Sequence, residues 1–261
     1  MKKSVKIFLI VIGIVVAIIL IFFALMGYIP GLSALFGATK PRDLGVTYTD
    51  ADQKSARDKG QVEWETLSAN TSDDQSIQFT GSHEVNNSWN SAEMTALLND
   101  RPWKYWPINT VQMRINPDGT AEMSGVVNSS KLRGYASGIG VPAVVADRIS
   151  ILPAQAAFYI KGTGALSENS VSKFDITSAQ LGRLSIPTGV LLSRNSLGAK
   201  TAFAQNVVSE LEKYSGKKAA IVNFINGRLS WISGFFAKKA HVSDSKLFFE
   251  GTLPDKERSA R

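Results

Sequence analysis

Few residues in this chain are equipped for catalysis, and none stands in a catalytic pattern. The 261 residues include two histidines, His83 and His241, and no cysteine. Disulfides, thiol chemistry and thiolate metal sites are therefore excluded. Neither histidine belongs to a His-Glu-x-x-His pair that would hold zinc. His83 falls on the apolar register of a predicted strand, where a hydrogen-bonded structural histidine is expected in preference to a ligand or base. Gly-x-Ser-x-Gly and phosphate-loop patterns do not occur. Gly138-Ile139-Gly140 and Gly162-Thr163-Gly164 lack the third glycine and the strand-to-helix setting of a dinucleotide site, so they read as turns or bulges. Glu93 has the chemistry of a general base, but its place in Asn90-Ser91-Ala92-Glu93 is explained by helix capping alone. These residues predict a non-enzymatic protein with no cofactor and no metal. Paired carboxylates leave no local motif, so a carboxylate-dependent cell-wall or glycan hydrolase stands as an alternative.

One cluster could make contacts. In Arg101-Pro102-Trp103-Lys104-Tyr105-Trp106-Pro107, three aromatics and two bases are fenced by prolines. Trp103, Lys104, Tyr105 and Trp106 are the candidate membrane or partner contact, suited to a bilayer interface or to stacking on a sugar. The competing expectation is a loop whose rings fold back on the core.

What positions these residues begins with the N-terminus. Residues 5–29 carry no charge beyond Lys6 and follow Lys2 and Lys3. At a helical rise of ~1.5 Å per residue the segment extends ~37 Å, enough to cross a ~30 Å hydrocarbon core with tilt. It is too long for the ~7–15-residue core of a cleaved secretory signal, and its exit offers no clear cleavage site. The lysines favour an N-terminus kept in the cytoplasm. The expected layout is a stub at 1–4, a transmembrane signal-anchor at 5–29, a juxtamembrane segment at 30–75, an extracytoplasmic domain at 76–254 and a polar tail at 255–261.

The net charge of +7 is less telling than it looks. Lys2, Lys3 and Lys6 account for three of it, leaving 26 Lys and Arg against 22 Asp and Glu. The remaining bases are scattered, which predicts a solvated mixed surface and no nucleic-acid partner. A cysteine-free exported domain on a bare anchor reads as bacterial.

Within the exterior part, Thr49 caps a predicted helix over Asp50–Lys59 that ends at Gly60. Alternation over Ser76–Val85 predicts a strand, and Asn90 opens a helix with Met94, Leu97 and Leu98 on one face. Val111, Met113 and Ile115, then Asn116-Pro117-Asp118-Gly119, then Ala121 to Val127 predict a hairpin. Helices are expected near Val141–Ile149 and through Phe203, Val207, Leu211 and Tyr214. Strands are expected at Ala157–Gly162, Ser170–Thr177, Ala240–Val242 and Lys246–Leu253, with a turn at Ser243-Asp244, and Leu181–Pro187 is a short apolar segment. The stripe Ile221, Ile225, Leu229, Ile232, Phe236 favours a helix over the hairpin that Asn226-Gly227 would also permit. The sum is an α+β domain with an antiparallel sheet.

The order of Ser91–Asn99, the Asn116–Gly119 hairpin, Leu181–Pro187 and the closing Asp244–Pro254 strand, behind an N-terminal anchor, resembles bacterial membrane-anchored envelope proteins of the YpmS-like type. It is similar also to LmeA-like and other tubular lipid-binding (TULIP-like) domains. Met94 stands where those families usually place leucine, and Asn99 comes later than their asparagine. The resemblance implies a curved sheet wrapped on helices around an apolar groove, a lipid or amphiphile ligand outside the cell, and no catalytic residues. A scaffold module of an envelope assembly is the other alternative.

Overall fold

The computed structural model describes residues 3–141, 153–186 and 217–261. Helix α1 (Lys3–Met26) is followed by α2 (Pro30–Leu35) and α3 (Asp50–Gly60). α1 has 24 residues, with side chains described at Ile14 and from Val16 onward. Among the described residues no helix is long and apolar enough to cross a membrane. α3 begins as expected: Thr49 and Asp52 form a reciprocal capping box, each side chain bonding the other's backbone N–H. It ends one residue later than predicted, with Gln61 and not Gly60 in the left-handed conformation (φ 52°).

The chain then enters β1 (Glu63–Leu67), β2 (Ile77–Thr80) and β3 (His83–Asn90). The single strand predicted over Ser76–Val85 is two, because Gly81 at φ 71° turns the chain from one sheet into another. Asn90 caps α4 (Ser91–Asn99) in a second capping box with Glu93. The hairpin β4 (Ile108–Ile115) and β5 (Ala121–Asn128) closes through Asn116, whose N–H donates to the Thr120 carbonyl at 2.8 Å. α5 (Ser129–Gly138) follows.

β6 (Gln155–Ser167) and β7 (Ser170–Leu181) are longer than predicted. Gly162 and Gly164 lie within β6 and are no turn, but the register shifts between Lys161 and Gly162, as at a bulge. Glu168 and Asn169, both at positive φ, make the two-residue turn that suits the twist of a hairpin. After β8 (Leu184–Ile186) the described chain resumes as α6 (Lys217–Trp231), continuous through Gly227, so helix and not hairpin holds there. β9 (Phe236–Ser243) and β10 (Lys246–Leu253) form another such hairpin, turning at Asp244-Ser245. The helix expected through Phe203–Tyr214, and all of that near 141–149 beyond Val141, lie outside the described residues.

The final element corrects the sequence reading. Residues 255–261 are no polar tail: Lys256–Ala260 is β11, paired in parallel with β1 and antiparallel with β2. Its alternation is carried by polar residues. Glu257 and Ser259 turn inward, while on the other face Lys256 reaches Glu65 and Glu63 and Ala260 is buried. β1 likewise draws part of the 30–75 segment into the domain.

The class is α+β. Among the described residues the other eight strands form one antiparallel sheet, ordered β3-β10-β9-β6-β5-β4 with β7 and β8 beyond β6, curled into a half-barrel with helices packed on it. The main core lies between α3 and α4 and the β3-β10-β9 end, around Ala56, Val85, Trp89, Ala237 and Phe249. At the other end, the extended chain around Leu44 covers β4 and β5, its N–H bonded to Gln112 and its carbonyl to Arg114. That cover explains why Glu122, Ser124 and Val126 are buried on the face the sequence pattern left to solvent.

Deleting residues 256–261 removes the middle strand of the three-stranded sheet. The truncated protein should lose its cooperative thermal transition, measured by circular dichroism. A melting temperature equal to that of the full chain would show that β11 is dispensable.

Candidate functional site

Where the two sheets face each other they leave a cavity of about 290 Å³. Its apolar wall is built from Trp64 of β1, Phe79 of β2, Trp89 of β3, Leu97 of α4 and Leu253 of β10, closed by Ile232 and Phe235 between α6 and β9. The Trp89 indole N–H donates to the Ala56 carbonyl at 3.0 Å, which leaves the ring without an unsatisfied polar atom.

The polar side carries Arg57, Arg101 and Glu257. Arg57 pairs with Asp100 and lies 4.2 Å from the centre of the Trp64 ring. Arg101 grips the buried Glu257 carboxylate with two nitrogens and also faces Trp106. Both guanidinium groups are thus oriented by an acid and an aromatic face together.

The sequence's contact candidates stand behind this wall. Trp103 is 3 % exposed, and its indole donates to Ser76 Oγ at 3.2 Å. Trp106 donates to the Leu98 carbonyl at 2.8 Å, and Lys104 Nζ to the Ala69 carbonyl at 2.9 Å. Tyr105 donates to the Asp73 carboxylate, which pushes its phenol up to about 12. The two indoles pack on Tyr135 of α5. Trp103 is therefore an interior ring, and this loop ties α5 to the small sheet while holding Arg101 at the cavity. The sequence singled out the loop but not Arg101's role, nor Arg57, Glu257 or Trp89. The lining runs from Ala56 to Glu257 along the chain, so no local spacing joins it.

Elsewhere the buried acids are matched by bases. Burial raises Glu93, but Lys59, Ser55 and the Asn90 N–H bond it and leave it below the usual carboxylate range. Burial also raises Glu122, yet hydrogen bonds from Tyr159, Arg114 and Asn116 outweigh it and hold that carboxyl down to about 2. His83 has both ring nitrogens engaged, with Asp255 at 2.9 Å and the Gly60 carbonyl at 3.0 Å. His241 stacks on Phe248. Among the described residues no group of three His, Asp or Glu is placed to hold a metal. The chain matches no family model, and no curated protein or solved structure is significantly similar to it.

Glu122 sets a pH expectation. Its folded pKa lies below the 4.5 of an unconstrained glutamate. Its stabilising contribution is then fully present above that pH and is lost as pH falls from there towards about 2. Glu122→Gln should cost about 1–3 kcal/mol at neutral pH and flatten the acid limb. Urea midpoints measured across that window check it, and an equally steep acid limb in the variant would assign the effect to another carboxylate.

Proposed function

We propose that this protein is held in a bacterial membrane by its N-terminal helix and that its extracytoplasmic α+β domain binds the apolar part of a lipid or other envelope amphiphile, without catalysing a reaction. The observation that carries the binding half is the aromatic-walled cavity between the sheets. A void of this size sits at the lower end of ligand pockets, ~300–1,000 Å³, and suits one segment of a ligand in preference to a whole lipid. Apolar cavities gain little from water and favour apolar guests, at about 25 cal/mol per Å² of guest surface removed from water. The resemblance to tubular lipid-binding domains points the same way.

The anchor half rests on the sequence. Residues 5–29 supply the apolar run, α1 has the helical form over Lys3–Met26, and Lys2, Lys3 and Lys6 favour a cytoplasmic N-terminus. A scaffold that meets its partner through Trp103, Lys104, Tyr105 and Trp106 has less support, since Trp103 is buried and the other three are hydrogen-bonded to the domain's own groups. A hydrolase has less support too, with Glu93, Glu122 and Glu257 each paired to a base.

The test uses the full chain in detergent and a brominated fatty acid. Trp64 and Trp89 line the cavity, so their fluorescence should be quenched saturably. Ala56→Leu and Ile232→Phe, which add volume to the wall, should each weaken the apparent Kd by about tenfold. Non-saturable quenching, or equal affinity in both variants with their melting temperatures intact, overturns the binding reading.

A further inference from the structure

The short helix α2 is amphipathic in the wrong sense for water. Its serine, Ser33, is fully buried and accepts the Ile29 N–H at 3.1 Å, while Leu35 is 77 % exposed and Leu32 and Phe36 also face outward. A polar residue inside and large apolar residues outside is the pattern of a helix whose outer solvent is not water. Pro30 at its first position starts the helix without a side-chain cap.

The surroundings identify that solvent. Ile14 and every residue from Val16 to Phe23 are exposed, and then Ala24 is fully buried. From there the helix end is part of the fold. The Arg183 N–H donates to the Leu25 carbonyl at 2.9 Å, and a Cβ on Gly182 would run into that same oxygen. The Ala157 N–H donates to the Ala38 carbonyl at 2.9 Å, which fixes the far end of α2 to β6. From the residue after Lys6 to the last one before this docking, Ile7 to Phe23, the helix backbone spans only ~25 Å, against ~30 Å of hydrocarbon. The shortfall is made up by whatever apolar surface adjoins Phe23, and that surface is α2.

Charge agrees. Lys40, Arg42 and Arg183 are exposed around this neck, and residues 30–42 contain no acid. Arg42 is held over the Tyr159 ring at 3.9 Å, and the Arg183 guanidinium lies against Gly37 at the end of α2.

We propose that α2 lies in the outer membrane–water interface with Leu32, Leu35 and Phe36 among the acyl chains, and that Lys40, Arg42 and Arg183 bind anionic phospholipid headgroups. The domain is thereby seated on the bilayer surface and does not swing from a free tether. This inference rests on the anchor reading above but not on the ligand reading.

The absence of cysteine lets single-cysteine variants of the full chain carry one fluorescent reporter each. Leu35→Cys and, as a water-facing reference beyond the neck, Tyr48→Cys are labelled with an environment-sensitive dye. Both are reconstituted into nanodiscs of phosphatidylcholine, with or without phosphatidylglycerol, that contain a lipid spin-labelled near the headgroup. Quenching at position 35 should exceed that at 48 several-fold and should deepen with phosphatidylglycerol. Lys40→Gln with Arg183→Gln should abolish the dependence on phosphatidylglycerol. Equal quenching at 35 and 48 in protein retained by the discs overturns the seating while leaving the anchor intact. Quenching at 35 that ignores phosphatidylglycerol overturns the headgroup assignment. A chain that does not remain in the discs fails as an anchor, and this inference falls with it.

Discussion

The chain leaves the eight-stranded sheet at Leu253 and enters the three-stranded one at Lys256, and the cavity between the sheets depends on Pro254 and Asp255 holding that crossing fixed. Several unrelated contacts converge on these two residues. His83, at the point where β2 gives way to β3, bonds Asp255 with one nitrogen and the end of α3 with the other. The Asp255 carbonyl accepts the Glu63 N–H at 2.8 Å, which sets β1 alongside β11. Gly234, at φ 81°, brings the link between α6 and β9 so close to Gly81 and Pro254 that any side chain would overlap the Gly81 carbonyl. Helix α3, both sheets and the α6–β9 link thus meet within a few residues. Moving the crossing by one residue would invert β11, turning Glu257 and Ser259 to solvent and Lys256 and Arg258 inward.

Local chemistry in the sequence was enough for the helix starts and tight turns. The capping signals at Thr49 and Asn90 act within four residues of chain, and so does the Asn116–Gly119 turn. Patterning failed where burial is not apolar. In β11 the inward positions are Glu257 and Ser259, which no hydrophobic alternation can announce, and the interior is tolerable only because Arg101, far away in sequence, neutralises the glutamate. In β5 both faces are covered because the chain around Leu44 folds across the second one. The candidate site was illegible for the same reason. Its parts were visible separately, with Phe79 on a strand's apolar face and Leu97 on a helix's, but sequence spacing carries nothing about which two sheets oppose each other.

The polar side of the cavity follows a logic that separates it from a catalytic cleft. An isolated charge beside so much aromatic surface would be costly, since burial in low dielectric penalises any ion without a partner. Arg57 and Arg101 avoid that cost by pairing with Asp100 and Glu257, and each stands over an indole. Each cation is matched by an anion, so a guest meets polarisable ring faces and charge pairs, with no unpaired acid or base from this set to donate or remove a proton. Selectivity in such a space comes from shape and from the apolar area a guest can bury. The charges instead fasten one side of the cavity, because Glu257 ties Arg101 and its loop to β11 while Asp100, one residue earlier, ties the same loop to Arg57 of α3. The Arg57–Asp100 pair is half exposed and only Glu257 of the other pair is buried, so the two add little net stability; what they fix is how α3, the Arg101 loop and β11 meet along the cavity's polar side.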